Sequence, residues 1–144
     1  MRPHPARAAW LGSELMPQAA AVEIMVVDDQ RAMRTLVRDS LSQIGCACVM
    51  ECGDGHEALQ SLRVRPVHLV VSDLNMPVMD GLALLRAVRN EPRLSNTAFI
   101  MLSSSSDVEL VRQAIALGVN NYLVKPFTLG MLKRKIESVF GPLT

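Results

Sequence analysis

Residues 67–81 read VHLVVSDLNMPVMDG. The opening run, Val67 to Val71, is apolar and rich in β-branched residues, which suits a strand buried on both faces. It ends on an acid, Asp73. Met76-Pro77 then makes a turn, and Asp80-Gly81 opens a helix. A strand of this kind that stops on a carboxylate sets that carboxylate at the carboxyl edge of a sheet. In open α/β sheets that edge is where ligands bind, so Asp73 is the first candidate for chemistry.

The same grammar recurs on either side. Glu23-Ile24-Met25-Val26-Val27 is a short apolar run ending in Asp28-Asp29. Ala98 to Leu102 runs into Ser103, and Asn121 to Val124 runs into Lys125-Pro126. Cys46 to Met50 reads as a further strand, second in chain order. Between these runs the apolar spacing becomes helical. Met33, Leu36, Val37, Leu41 and Ile44 share one side of a helix that Gly45 ends. Ala58, Leu59 and Leu62 face inward on a second helix after the Gly53-Asp54-Gly55 turn, and Leu82, Leu85 and Val88 mark a third. Ser106 and Glu109 form a capping-box pattern at the start of a fourth helix, which carries Val108, Val111 and Ile115. Thr128 caps a fifth, with Leu129, Leu132, Ile136 and Val139 inward. Five strand patterns alternating with five helix patterns predict an α/β fold: a doubly wound five-stranded parallel sheet with helices on both faces.

Composition narrows the function. The chain has 144 residues and a net charge of +1, which suits one domain and gives no basic excess for nucleic acid. No apolar run approaches the ~18 residues of a membrane span. Cys46, Cys48 and Cys52 are odd in number and lack paired zinc spacing, so they read as reduced thiols of a cytoplasmic protein. Residues 1–21, rich in Ala and Pro, read as a disordered extension, leaving 22–144 as the domain.

Asp28, Asp29, Asp73, Ser103 and Lys125 should converge at one sheet edge. Three crowded carboxylates repel one another unless a cation joins them, and a hard ion with oxygen ligands, Mg2+, fits. With a lysine and a hydroxyl beside it, such a site handles phosphoryl groups, Asp73 serving as nucleophile.

VVDD at 26–29, SDLNMPVMDG at 72–81, Ser103 after a strand and YLVKPF at 122–127 together resemble the receiver (response regulatory) domain of two-component response regulators, over Glu23 to Leu143. The resemblance is strongest to the single-domain regulators of chemotaxis. It implies a flavodoxin-like sheet of strand order 2-1-3-4-5 and a cis Lys125-Pro126 bond. Asp73 is then the phospho-acceptor and a histidine kinase (CheA-like) the phosphodonor. Asp29 and Asp73 bind Mg2+ through side chains, Asn75 through its backbone carbonyl and Asp28 through water. Ser103 and Tyr122 are the switch residues. Output is binding of a downstream protein, such as a flagellar motor switch protein, by a monomer acted on in turn by a phosphatase. Ser105 stands where the family often has a bulkier or charged residue, beside the path of attacking water.

Other functions remain in view. The chain is alternatively a phosphorelay intermediate or phosphate sink. An Mg-dependent aspartyl-phosphate phosphatase generally wants a second acid two residues after the nucleophile, and Asn75 stands there. A DNA-binding regulator needs an output domain, and none is expected before Thr144.

Overall fold

The computed structural model describes residues 18–104 and 107–143. Its strands are β1 (Glu23–Val27), β2 (Cys48–Cys52), β3 (Leu69–Asp73), β4 (Ala98–Ser103) and β5 (Asn121–Val124). They alternate with helices α1 (Arg31–Ile44), α2 (Gly55–Val64), α3 (Gly81–Asn90), α4 (Val108–Ala116) and α5 (Leu129–Phe140). All neighbouring strands are parallel, in the order β2-β1-β3-β4-β5. This is the expected doubly wound sheet.

Side chains alternate across a strand, and that alternation sorts the core into two layers. Met25, Val27, Val70, Phe99 and Met101 pack with Leu59, Leu62, Leu85 and Val88, covered by α2, α3 and part of α4. Ile24, Val26, Leu69, Val71, Ile100 and Leu102 point the other way, onto Val37 and Leu41 of α1 and Leu132, Ile136 and Phe140 of α5. With both faces covered, β3 and β4 are buried along their whole length, which is why they read as continuous apolar runs.

Helix ends follow local chemistry. Gly45 sits in the left-handed region, and its N–H and that of Cys46 close onto Ser42 and Leu41 carbonyls. That closure draws Cys46 into the core, so β2 begins at Cys48, two residues later than the sequence suggests. Asp54, Asp80 and Thr128 cap α2, α3 and α5, each accepting from the backbone N–H three residues on.

Other expectations are corrected by packing. Leu36, Val108, Ile115 and Leu129 fit the helical period yet are exposed, because α1 buries only Val37 and Leu41, α4 only Ala114, and the buried side of α5 begins at Leu132. β3 begins at Leu69 instead of Val67. Residues 1–17 of the expected extension, and Ser105 and Ser106, lie outside the described residues. Residues 18–21 differ from an extension: Ala19–Ala21 form a 3-10 turn that buries Ala19 beside Cys46 in the second core layer. Near the expected Ser106–Glu109 box, the contact seen is two residues earlier. The Asp107 carboxylate accepts from the N–H and hydroxyl of Ser104.

All three cysteines are free thiols, Cys46 and Cys52 buried and Cys48 exposed. No helix among the described residues is long and apolar enough to cross a membrane.

Candidate functional site

Parallel strands bring their carboxyl ends to one edge, and four of the five contribute. Asp28 and Asp29 follow β1, Asp73 ends β3, Ser103 ends β4 and Lys125 follows β5. Asp28, Asp73 and Ser103 are buried while Asp29 is exposed. Oxygens of Asp28, Asp29 and Asp73 lie within 4.8 Å of one another. The Lys125 Nζ donates to Asp73 Oδ1 at 2.8 Å. The Lys125 backbone N–H donates to the Ser103 carbonyl at 2.8 Å, which extends the β4–β5 ladder and aims the lysine across β4 toward β3. The Lys125-Pro126 bond is cis.

Two buried side-chain oxygens among the described residues have no hydrogen-bond partner, Asp28 Oδ2 and Ser103 Oγ. Both belong to this edge. An orphaned buried carboxylate oxygen is costly, and here it lies beside two further acids whose oxygens are close enough to share one cation. The all-oxygen donor set suits a hard divalent ion, so these residues fit Mg2+.

Burial pushes the Asp28 carboxyl above its ordinary value, and the charges of Asp73 and Asp29 add to it; the Gln30 N–H on Asp28 Oδ1 and the Lys125 charge work against it. A carboxyl raised in the native state holds its proton more tightly there than in the unfolded chain. The metal-free protein therefore loses stability as pH rises from the ordinary carboxylate range through the raised native value, and regains it on acidification. Asp28→Asn keeps an acceptor for Gln30 and removes one charge from the trio. It is expected to stabilise the metal-free protein at neutral pH by about 1 kcal/mol. Thermal melts of both proteins in chelator check this, and a lower melting temperature for the variant contradicts it.

The loop after β3 is built by close approach. A Cβ on Gly81 would collide with the Asp73 carbonyl oxygen and lie 2.7 Å from Met101 Sδ. One on Gly55 would lie 2.6 Å from the Met79 carbonyl oxygen. Only glycine lets α2 and α3 come this near the loop. Val78 has φ 69° and is almost fully exposed. Asn75 Nδ2 donates to Asp107 Oδ2 at 3.2 Å, linking this loop to the start of α4. Its hydrogen bonds, those from Ser104 first, hold the Asp107 carboxyl below its ordinary value.

Tyr122 lies on β5 at the surface, with Lys135 Nζ 5.5 Å from its ring centroid. A cavity of about 200 Å3 separates it from the site, lined by Ser103, Ser104, Asp107, Val108, Val111, Tyr122 and Val124. The structure thus brings together Asp28, Asp29, Asp73, Ser103 and Lys125 and places Asn75 and Tyr122 at the rim. Sequence reasoning missed the parts played by Gly81 and Asp107. Only the Asp80-Gly81 helix start and the serine-run cap hinted at them.

Comparison with known proteins agrees with this geometry. A family model described as the response regulator receiver domain matches residues 24–137. A Rhizobium etli protein named "Probable chemotaxis protein CheY" is 44% identical over 128 residues, covering 89% of this chain and 99% of that protein. The structure of chemotaxis response regulator CheY4 of Vibrio cholerae superposes with a TM-score of 0.75 at 31% identity, covering 82% of this chain and 98% of that one. The receiver domain of the Pseudomonas aeruginosa sensor histidine kinase PA1611 superposes with a TM-score of 0.75 at 27% identity, covering 84% of this chain and 98% of that one. It carries a magnesium ion coordinated in its active-site cleft. The chain belongs to the response regulator receiver domains, of the chemotaxis CheY type, and is a phosphorylation-dependent two-component switch.

Proposed function

We propose that Asp73 accepts the phosphoryl group, with Mg2+ held by Asp29, Asp73 and the Asn75 carbonyl, and by Asp28 through water. The observation that carries this reading is the Lys125–Asp73 pair at 2.8 Å beside the orphaned Asp28 Oδ2 and Ser103 Oγ. Lys125 takes one Asp73 oxygen, leaving the other to attack phosphorus in line as the N–P bond of a kinase phosphohistidine breaks. The Lys125 ammonium and the Ser103 hydroxyl then serve the phosphoryl oxygens. Bound Mg2+ supplies charge neutralisation to the carboxylates and the transferring group. The phosphodonor is a histidine kinase, the compartment is the cytoplasm, and the group is transferred and lost without turnover of a small ester.

Output is protein binding. Val108, Ile115, Tyr122 and Leu129 are exposed apolar side chains, Val108 and Tyr122 line one cavity, and that cavity offers space for the Tyr122 ring when Ser103 is drawn toward the phosphoryl group. The target is a protein of the flagellar motor-switch kind. Tyr122→Ala is expected to leave phosphorylation nearly intact while removing a coupling of about 1–3 kcal/mol between phosphorylation and partner affinity. Titrating a partner captured on the phosphorylated protein against both forms of each variant measures it. The same phosphorylation dependence in the variant would reduce Tyr122 to a strand residue, and transfer of the group onward without any binding change would favour the phosphorelay reading.

A further inference from the structure

The acidic pair leaves β1 at Asp28, whose two flanking peptides are both held. The Asp28 N–H donates to the Cys52 carbonyl at 3.2 Å, the last bond between β1 and β2. The Asp28 carbonyl accepts from Arg34 Nη1 at 2.6 Å, one turn into α1. Arg34 is itself fixed: its side chain is 19% exposed, and its Nε lies 3.4 Å from Glu51 Oε1. The other Glu51 oxygen takes Arg38 at 2.6 Å. A peptide carbonyl fixes the rotation of the plane that follows it, and so the directions in which the Asp28 and Asp29 side chains leave the chain.

We infer that Arg34 is a positioning residue for the cation site: by holding the Asp28 carbonyl it keeps the Asp28 and Asp29 carboxylates turned toward Asp73. This rests on the reading that the acidic trio binds Mg2+. Two effects of Arg34 on a cation have opposite signs, which makes the inference decidable. As a positive charge it repels the ion, so losing it for coulombic reasons alone strengthens binding. As a positioning group it orders the ligands, so losing it weakens binding. Groups that orient metal ligands through one further contact set affinity by about 10–100-fold, whereas a partly solvated charge is screened.

The experiment is calorimetric titration of Mg2+ into the full chain at neutral pH, with melting temperatures recorded in chelator. Arg34→Met is expected to weaken Mg2+ binding about 10-fold. Arg34→Lys, which keeps a charge and a donor, should recover most of the loss. Glu51→Gln removes the ion pair while leaving the carbonyl contact, so it should lower the melting temperature more than it lowers affinity. Unchanged or tighter Mg2+ binding by Arg34→Met overturns the inference, as does an equal loss in Glu51→Gln, which would assign the effect to the link between α1 and β2. Should Arg34→Met not fold, Arg34→Gln, too short to reach the carbonyl, is expected to show the same loss, and wild-type affinity there is equally decisive against the inference. Absence of Mg2+ binding by the wild-type protein would instead remove the cation site itself, and the inference with it.

Discussion

Gly81→Ala should cost the protein about 3 kcal/mol and slow phosphorylation of the remaining folded molecules about 100-fold. The added methyl group would meet the Asp73 carbonyl oxygen, the Leu74 Cα at 3.0 Å and Met101 Sδ at 2.7 Å. Two of these three are backbone, in a strand and loop that cannot retreat. The Gly81 N–H also donates to the Leu74 carbonyl at 3.0 Å, so α3 is fastened at the point where the new atom pushes. Displacing the Asp73 backbone moves its carboxylate relative to Lys125 and the acids of β1, and misplacement on the ångström scale is what in-line transfer tolerates least. Gly130→Ala is the control. It lies in α5 with nothing nearer than Thr128 Oγ1 at 3.9 Å, and is expected to be neutral or to gain about 0.5–1 kcal/mol. Denaturant unfolding and the initial rate with acetyl phosphate separate the two variants, and equal behaviour would contradict this account of the loop.

Arg89→Met should also be destabilising, by about 1–3 kcal/mol, with no direct effect on the chemistry. From α3 the guanidinium donates five hydrogen bonds: two to the Gly118 carbonyl, one each to the Ser95 and Thr97 carbonyls, the last at 2.6 Å, and one to Asn120 Oδ1. Asn120 Oδ1 also accepts from the Phe99 N–H at 2.6 Å, so one planar fork ties the entrances of β4 and β5 to α3. Burial lowers the Arg89 pKa somewhat, yet the group stays charged because guanidinium titrates far above neutral pH. Removing it takes the guanidinium donor from the Ser95 and Thr97 carbonyls, which are part-buried. The cluster lies at the amino ends of the strands, away from Asp73, so the variant should unfold at lower denaturant while its folded fraction phosphorylates at the wild-type rate. A slower rate in the folded fraction would show coupling between the two edges.

The strands that carry the site were legible because each is an apolar run punctuated by a polar residue, and a parallel sheet sends every such residue to the same edge. Periodicity also found the helices, but it reports amphipathicity and is silent on which neighbour covers the apolar stripe. Leu36, Val108, Ile115 and Leu129 keep the period and remain exposed for that reason. The run of serines that begins at the end of β4 allows more than one capping register, and in the structure the Asp107 carboxylate turns back to Ser104. Arg34 and Arg89 carry no signal in the sequence, since what distinguishes them is a backbone carbonyl from elsewhere in the chain. Gly81 showed as a helix start, while the closeness of the Asp73 carbonyl behind it is a tertiary fact.

The central claim is that Asp73 is the acceptor, and intact mass after incubation with acetyl phosphate and Mg2+ tests it most directly. The wild-type chain is predicted to gain the mass of a single phosphoryl group and Asp73→Asn to gain none; the same gain in Asp73→Asn would contradict the account.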